Sequence, residues 1–266
     1  MNFQTILEKY RKISFSERDK GDRFEHLMQA YLLTDPKYAH RFKKVMLWGE
    51  FPYRGDLGGS DTGIDLVAQT TEGDYWAVQC KAYQEDARID KPAVDSFLAT
   101  SGRTFKNEEM QTVGFTHRLW ISTTKQWGRN ADEAIHNQNP PVSRISLFDL
   151  IDAPIDWGKL EEGVHGEKAR TAKKSLYHHQ RDALKKAHEY YKTADRGKMI
   201  MACGTGKTFT ALRIAEHETN GTGTVLFLVP SIALLGQALR EWSADAKEDI
   251  NAICICSDPK VSKSRK

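Results

Sequence analysis

Gly63-Ile64-Asp65-Leu66-Val67-Ala68, followed by Gln79-Cys80-Lys81, decides how the first part of this 266-residue chain folds. Between the two, residues 70–74 are polar and carry Gly73, which reads as a hairpin turn joining short apolar strands. A hairpin symmetric about Glu72 sets Asp65 across from Gln79, Val67 across from Ala77 and Gln69 across from Tyr75. Opposed residues share a face, and so do residues two apart on one strand. Asp65, Gln79 and Lys81 then converge on one side, with Ile64, Leu66, Ala68, Trp76 and Val78 on the other. A carboxylate, an amide oxygen and a lysine at one strand end can hold a hard divalent cation and its water for phosphodiester cleavage. A slip of one residue separates Asp65 from Gln79. An ordinary hairpin with a wet polar face satisfies the same pattern.

Two features outside the hairpin bear on that choice. Phe24, Leu27, Met28, Tyr31 and Leu32 form the apolar stripe of a helix over residues 21–33, and Glu25 flanks the stripe, within reach of the hairpin. Around it the pattern runs strand 43–48, the hairpin, helix 92–104, strand 118–123, helix 129–137 and strand 143–148. That order makes an α/β fold, a compact mixed sheet flanked by helices. Asp61 lies in a Gly/Ser/Asp cluster and reads as a turn former, with a supporting place beside a metal as the alternative.

Composition sets outer limits. The length admits two modest domains, and 39% hydrophobic content with six tryptophans supports packed cores. No apolar run approaches the ~18 residues of a membrane span, and Met1-Asn2-Phe3-Gln4-Thr5 lacks an export signal, so a cytoplasmic protein is expected. A net charge of +3 confines any DNA-binding surface to a local patch. Arg54, Arg103 and Lys106 are candidates for it, and each also reads as solvated surface charge. Cys80, Cys203, Cys254 and Cys256 form no metal-type pair and are expected as reduced, buried thiols.

The combination of Glu25, Gly63-Ile64-Asp65 and Gln79-x-Lys81 resembles the PD-(D/E)xK nuclease superfamily, and most of all its Mrr-like branch, where glutamine replaces an acidic residue. The resemblance covers residues 1–152 and implies a restriction-endonuclease-like fold and a Mg²⁺-dependent endodeoxyribonuclease. By it, Asp65 binds the metal, Gln79 completes the shell, Glu25 supports the metal or the water, and Lys81 orients the water or stabilises phosphate charge.

Residues 153–175 lose apolar periodicity and read as a linker, basic towards its end. Residues 176–266 carry other chemistry. A helix over 180–191 and a strand over 198–202 precede Cys203-Gly204-Thr205-Gly206-Lys207-Thr208, which opens a helix over 207–218. A strand, a glycine loop and a helix N-terminus make a phosphate cradle. Lys207 would reach the β- and γ-phosphates and Thr208 the magnesium, although Met201 stands where the first glycine of the strict consensus belongs. Residues 225–231 and 253–256 read as buried parallel strands, with a helix over 232–242 between them.

The loop resembles the Walker A motif of superfamily 2 helicases and translocases, which tolerate that departure. Gln180 matches their adenine-reading glutamine, and residues 225–231 their motif Ia. The resemblance implies ATP with Mg²⁺ held by Gln180, Gly204, Thr205, Gly206, Lys207 and Thr208, in a partial RecA-like parallel α/β lobe expected to break off before its Walker B strand. A nuclease upstream of such a motor resembles Type ISP restriction-modification enzymes. That family implies double-stranded DNA as partner, and a downstream motor, methyltransferase and target-recognition domain. A repair or plasmid-encoded helicase–nuclease, or a non-catalytic module that binds DNA and senses nucleotide, are the alternatives.

Overall fold

Two capped helices open the chain. In this computed structural model, which describes residues 1–59, 63–84 and 86–256, α1 spans Phe3–Ile13 and α2 spans Glu17–Leu32. Asn2 Oδ1 accepts from Thr5 N at 2.8 Å and Ser16 Oγ from Asp19 N at 3.1 Å, each satisfying a donor at its helix start. The Ser16 cap starts α2 ahead of the expected Gly21. Phe3, Ile6, Leu7 and Tyr10 of α1, and Phe24, Leu27, Met28 and Tyr31 of α2, are buried at helical spacing.

The helices cover a mixed sheet. β1 (Phe42–Leu47), β2 (Leu66–Thr70) and β3 (Tyr75–Lys81) are antiparallel neighbours. β6 (Thr112–Ser122) then pairs parallel to β3, β5 (Thr104–Lys106) pairs antiparallel to β6, and β8 (Val142–Ile145) pairs parallel to it. A short parallel pair, β4 (Arg88–Ile89) with β7 (Gln126–Trp127), stands apart. The hairpin register matches the expectation, with Val67 opposite Ala77 and Gln69 opposite Tyr75.

Each face of the sheet carries a buried apolar layer. Leu66, Ala68, Val78, Cys80, Leu119 and Ile121 pack with α1, α2 and the helices α5 (Leu147–Ile151) and α6 (Trp157–Glu161). Val67, Tyr75, Ala77 and Trp120 pack with α3 (Lys91–Ser101), α4 (Arg129–Ala134) and an aromatic group around Phe51. Fully burying each large apolar side chain contributes about 1.5–3 kcal/mol. The side chain of Ile64 joins the second layer, whereas the hairpin reading set it with Leu66. The turn at Gly63 (φ 77°) breaks strand alternation there.

The expected linker over 153–175 is corrected. The chain forms two compact units that divide between Arg170 and Thr171. Ala153, Ile155, Trp157, Leu160 and Ala169 are buried in the first unit, and Trp157 stacks on Tyr31 with ring centroids 5.6 Å apart. Five apolar side chains outweigh the Pro/Gly signal that read as linker.

The second unit contains α7 (His178–Tyr191), α8 (Lys207–Thr219) and α9 (Ile232–Asp245). Its small core gathers Phe209, Leu212 and Ala246, with Trp242 against them. The strands expected over 198–202, 225–231 and 253–256 pair with no ladder among the described residues, and Ile200, Leu226, Leu228, Ile253 and Ile255 are exposed. A parallel strand is stable only with hydrogen-bonded neighbours and cover on both faces, and these segments have neither here. Cys80 is buried, as expected, whereas Cys203, Cys254 and Cys256 are exposed, against expectation. Among the described residues no helix is long and apolar enough to cross a membrane.

Candidate functional site

Asp65 stands just ahead of β2 and is fixed through its backbone from both sides. Its carbonyl accepts from Trp48 N at 2.7 Å, and its N–H donates to Val78 O at 2.9 Å. The segment reaches it through Gly63, where a Cβ would lie 2.9 Å from both Phe97 N and Ser96 Oγ of α3. Only glycine combines that approach with a positive φ.

The Asp65 side chain turns to β3. Its Oδ2 accepts from Cys80 N at 2.7 Å and from Gln79 Nε2. A carboxylate can only accept, so the Gln79 amide must present its nitrogen to Asp65. Gln79 Oε1 is thereby left buried without a hydrogen-bond partner. Gln79 is 1% exposed, so the polar face of the hairpin is not a wet surface.

Glu25 on α2 and Lys81 at the end of β3 are half-buried beside this pair. Burial, then the charge of Asp65, then that of Asp22, raise the Glu25 carboxyl to about 7, and Lys81 opposes the rise. The same surroundings, burial first, push the Cys80 thiol well up, which keeps it inert. Glu25, Asp65, Gln79 and Lys81 are therefore brought into one electrostatic neighbourhood. Oxygen donors from Glu25, Asp65 and Gln79, one of them an orphaned buried acceptor, fit a hard divalent cation. Asp61 lies outside the described residues.

Of the three basic candidates, Arg103 donates from its guanidinium to Leu57 O at 3.0 Å, and the Lys106 backbone N–H donates to Asp56 at 2.9 Å. These contacts tie down the loop around residues 54–57, a structural use the sequence does not reveal.

The glycine loop of the second unit is also formed. Gly204 and Gly206 both hold φ 77°, and Gly206 caps α8. Lys207 Nζ donates to Ala202 O at 3.0 Å, and Thr205 Oγ1 to the same carbonyl at 2.8 Å. Gln180 is buried against the loop. Its Nε2 donates to Thr205 O at 3.0 Å, and its Oε1 accepts from Tyr177 N at 2.9 Å. A Cβ on Gly206 would clash with Gln180 Nε2. Gln180 thus braces the glycine loop, a role that its spacing from Lys207 does not reveal. Thr208 is held through its carbonyl, which accepts from Trp242 Nε1 at 3.0 Å.

Comparison with known proteins finds relatives of both units. The sequence pattern of the restriction endonuclease family matches residues 33–167, and that of the Type III restriction enzyme res subunit matches residues 173–265. The first match begins after α2, so the place of Glu25 rests on geometry alone. No curated protein matches the chain. Among solved structures, the ATP-dependent Type ISP restriction-modification enzyme LlaBIII bound to DNA is similar at 31% identity and a TM-score of 0.69. The match covers 91% of this chain, which spans 15% of the length of that one.

Proposed function

The chain belongs to the restriction endonuclease family, and from that premise we propose that its first unit hydrolyses DNA phosphodiester bonds with a divalent cation such as Mg²⁺. The second unit is proposed to be the nucleotide-binding start of an ATP-dependent translocase acting on double-stranded DNA within a restriction-modification system. Asp65, Gln79 and Glu25 would hold the cation, and when bound it would supply an activated water and charge neutralisation at the phosphate.

The side chains supply the rest. Asp65 is held rigidly by its backbone and by Cys80 N, so its carboxylate needs little reorganisation. Glu25, half-buried beside Asp65, would face the bound cation and orient the attacking water. Lys81 places a positive charge where the phosphate oxyanion develops, as the phosphorus–oxygen bond to the leaving group breaks. The dry walls around Gln79 strengthen these interactions. In the second unit, loop N–H groups and Lys207 would receive the β- and γ-phosphates, with Thr208 at the magnesium and Gln180 at the adenine edge.

The observation that carries the reading is the buried Gln79 oxygen left unpartnered beside Asp65. Its test is nicking of supercoiled plasmid, with Mg²⁺ or Mn²⁺, by this protein beside an Asp65→Ala variant of equal helicity. Metal-dependent nicking abolished by the substitution supports the proposal. Nicking that survives it removes Asp65 from the chemistry.

A further inference from the structure

α7 and α8 meet at both ends. At their N-terminal ends Gln180 and His179 reach Thr205, and at their C-terminal ends His188 of α7 meets His217 and Glu218 of α8. One ligand atom from each of these three lies within 4.8 Å of the others. Glu218 Oε1 is 3.6 Å from His188 Nδ1 and 3.2 Å from His217 Nδ1. The two imidazole centroids are 4.0 Å apart at 63°. A tetrahedral ion bound at about 2.0–2.1 Å sets its ligand atoms roughly 3.4 Å apart, so both measured separations bracket that edge.

We propose that His188, His217 and Glu218 form a site for a borderline transition-metal dication, with zinc preferred, which staples α7 to α8. Two imidazoles and one carboxylate suit zinc, unlike the all-oxygen set around Asp65, which suits a hard cation. Each histidine lies in the last turn of its helix, where the carbonyl ends of the backbone favour positive charge. His188 is half-buried, and His217 and Glu218 are exposed, so an ion reaches the site from solvent and keeps a position for water. The site is some ten residues along α8 from Lys207, on the order of 15 Å, and is separate from the phosphate loop. Its effect is to fix the helix that carries Gln180 against the helix that carries Lys207.

The test titrates metal-stripped protein carrying Asp65→Ala, which removes the cation site proposed in the first unit, with zinc chloride by calorimetry and counts bound zinc by elemental mass spectrometry. In that background the protein with wild-type His188, His217 and Glu218 is expected to bind one equivalent and to rise in melting temperature. His217→Gln and Glu218→Gln, surface changes that keep side-chain bulk, are expected to weaken binding at least tenfold with unchanged circular dichroism. His178→Ala, outside the cluster, is expected to leave binding intact. Absence of a stoichiometric equivalent in the protein with all three ligands overturns the proposal. So does a His188→Ala/His217→Ala double variant that keeps it.

Discussion

Gln79 donates from Nε2 to the Asp65 carboxylate, and its own Oε1, equally buried, accepts from nothing. A buried acceptor left unpaired costs about 1–3 kcal/mol. A cation at that oxygen, as proposed, would remove the penalty and would tie the stability of the hairpin to metal.

Gln79→Glu is expected to lower the melting temperature in EDTA, because a second carboxylate then faces Asp65 at close range. Millimolar Mg²⁺ should recover most of the loss. Thermal melts of both proteins with and without metal check this, and a deficit that ignores Mg²⁺ counts against a cation there.

Glu25 makes stability pH-dependent in the opposite sense to an ordinary paired carboxylate. Its pKa is about 7 folded and 4.5 in the reference state, so between these values the folded chain binds more protons. Stability from this group therefore falls as pH rises from about 4.5 to 7, by at most about 3 kcal/mol. Glu25→Gln removes that loss, so its advantage in melting temperature over wild type should widen from pH 5 to pH 8. Saturating Mg²⁺ should narrow it by favouring ionised Glu25. Parallel melting curves across that range give the answer.

Gly206→Ala forces a Cβ against Gln180 Nε2 at a φ of 77°. It is expected to weaken binding of a fluorescent ATP analogue, because strain of about 1–2 kcal/mol falls on the glycine loop proposed to cradle the phosphates. Adding Gln180→Ala relieves the clash and leaves the strain, so the double variant should recover only in part.

Trp157→Ala removes a ring stacked on Tyr31 and set against Phe3 at 4.6 Å. A loss of about 3–5 kcal/mol is expected, and urea denaturation of residues 1–170 measures it. Ending the unit at 152 deletes Ile155, Trp157 and Leu160 together and should yield a protein that is not stably folded.

The sequence made the hairpin register legible, because the polar turn at Gly73 and the alternation around it admit one pairing. Asp65 and Gln79 could be paired on that basis alone. Glu25 followed from the stripe of α2. The helix α1 is equally legible from Asn2 followed by Phe3, Ile6, Leu7 and Tyr10. Trp157 was hidden because Pro154 and Gly158 mask a short helix whose burial depends on distant Tyr31 and Phe3. The apolar runs over 225–231 and 253–256 carry the composition of strands, but composition cannot supply ladder partners. Gln180 bracing Thr205 rests on the close approach that Gly206 permits, which no spacing rule encodes.

The central claim is that Asp65, Gln79 and Glu25 hold a divalent cation, and Mn²⁺ binding followed by electron paramagnetic resonance tests it without requiring cleavage. The account predicts that wild type quenches the free Mn²⁺ signal stoichiometrically, and that Asp65→Ala, folded to the same degree, needs at least tenfold more protein for the same loss. Equal binding by both proteins, or none by wild type, would contradict it.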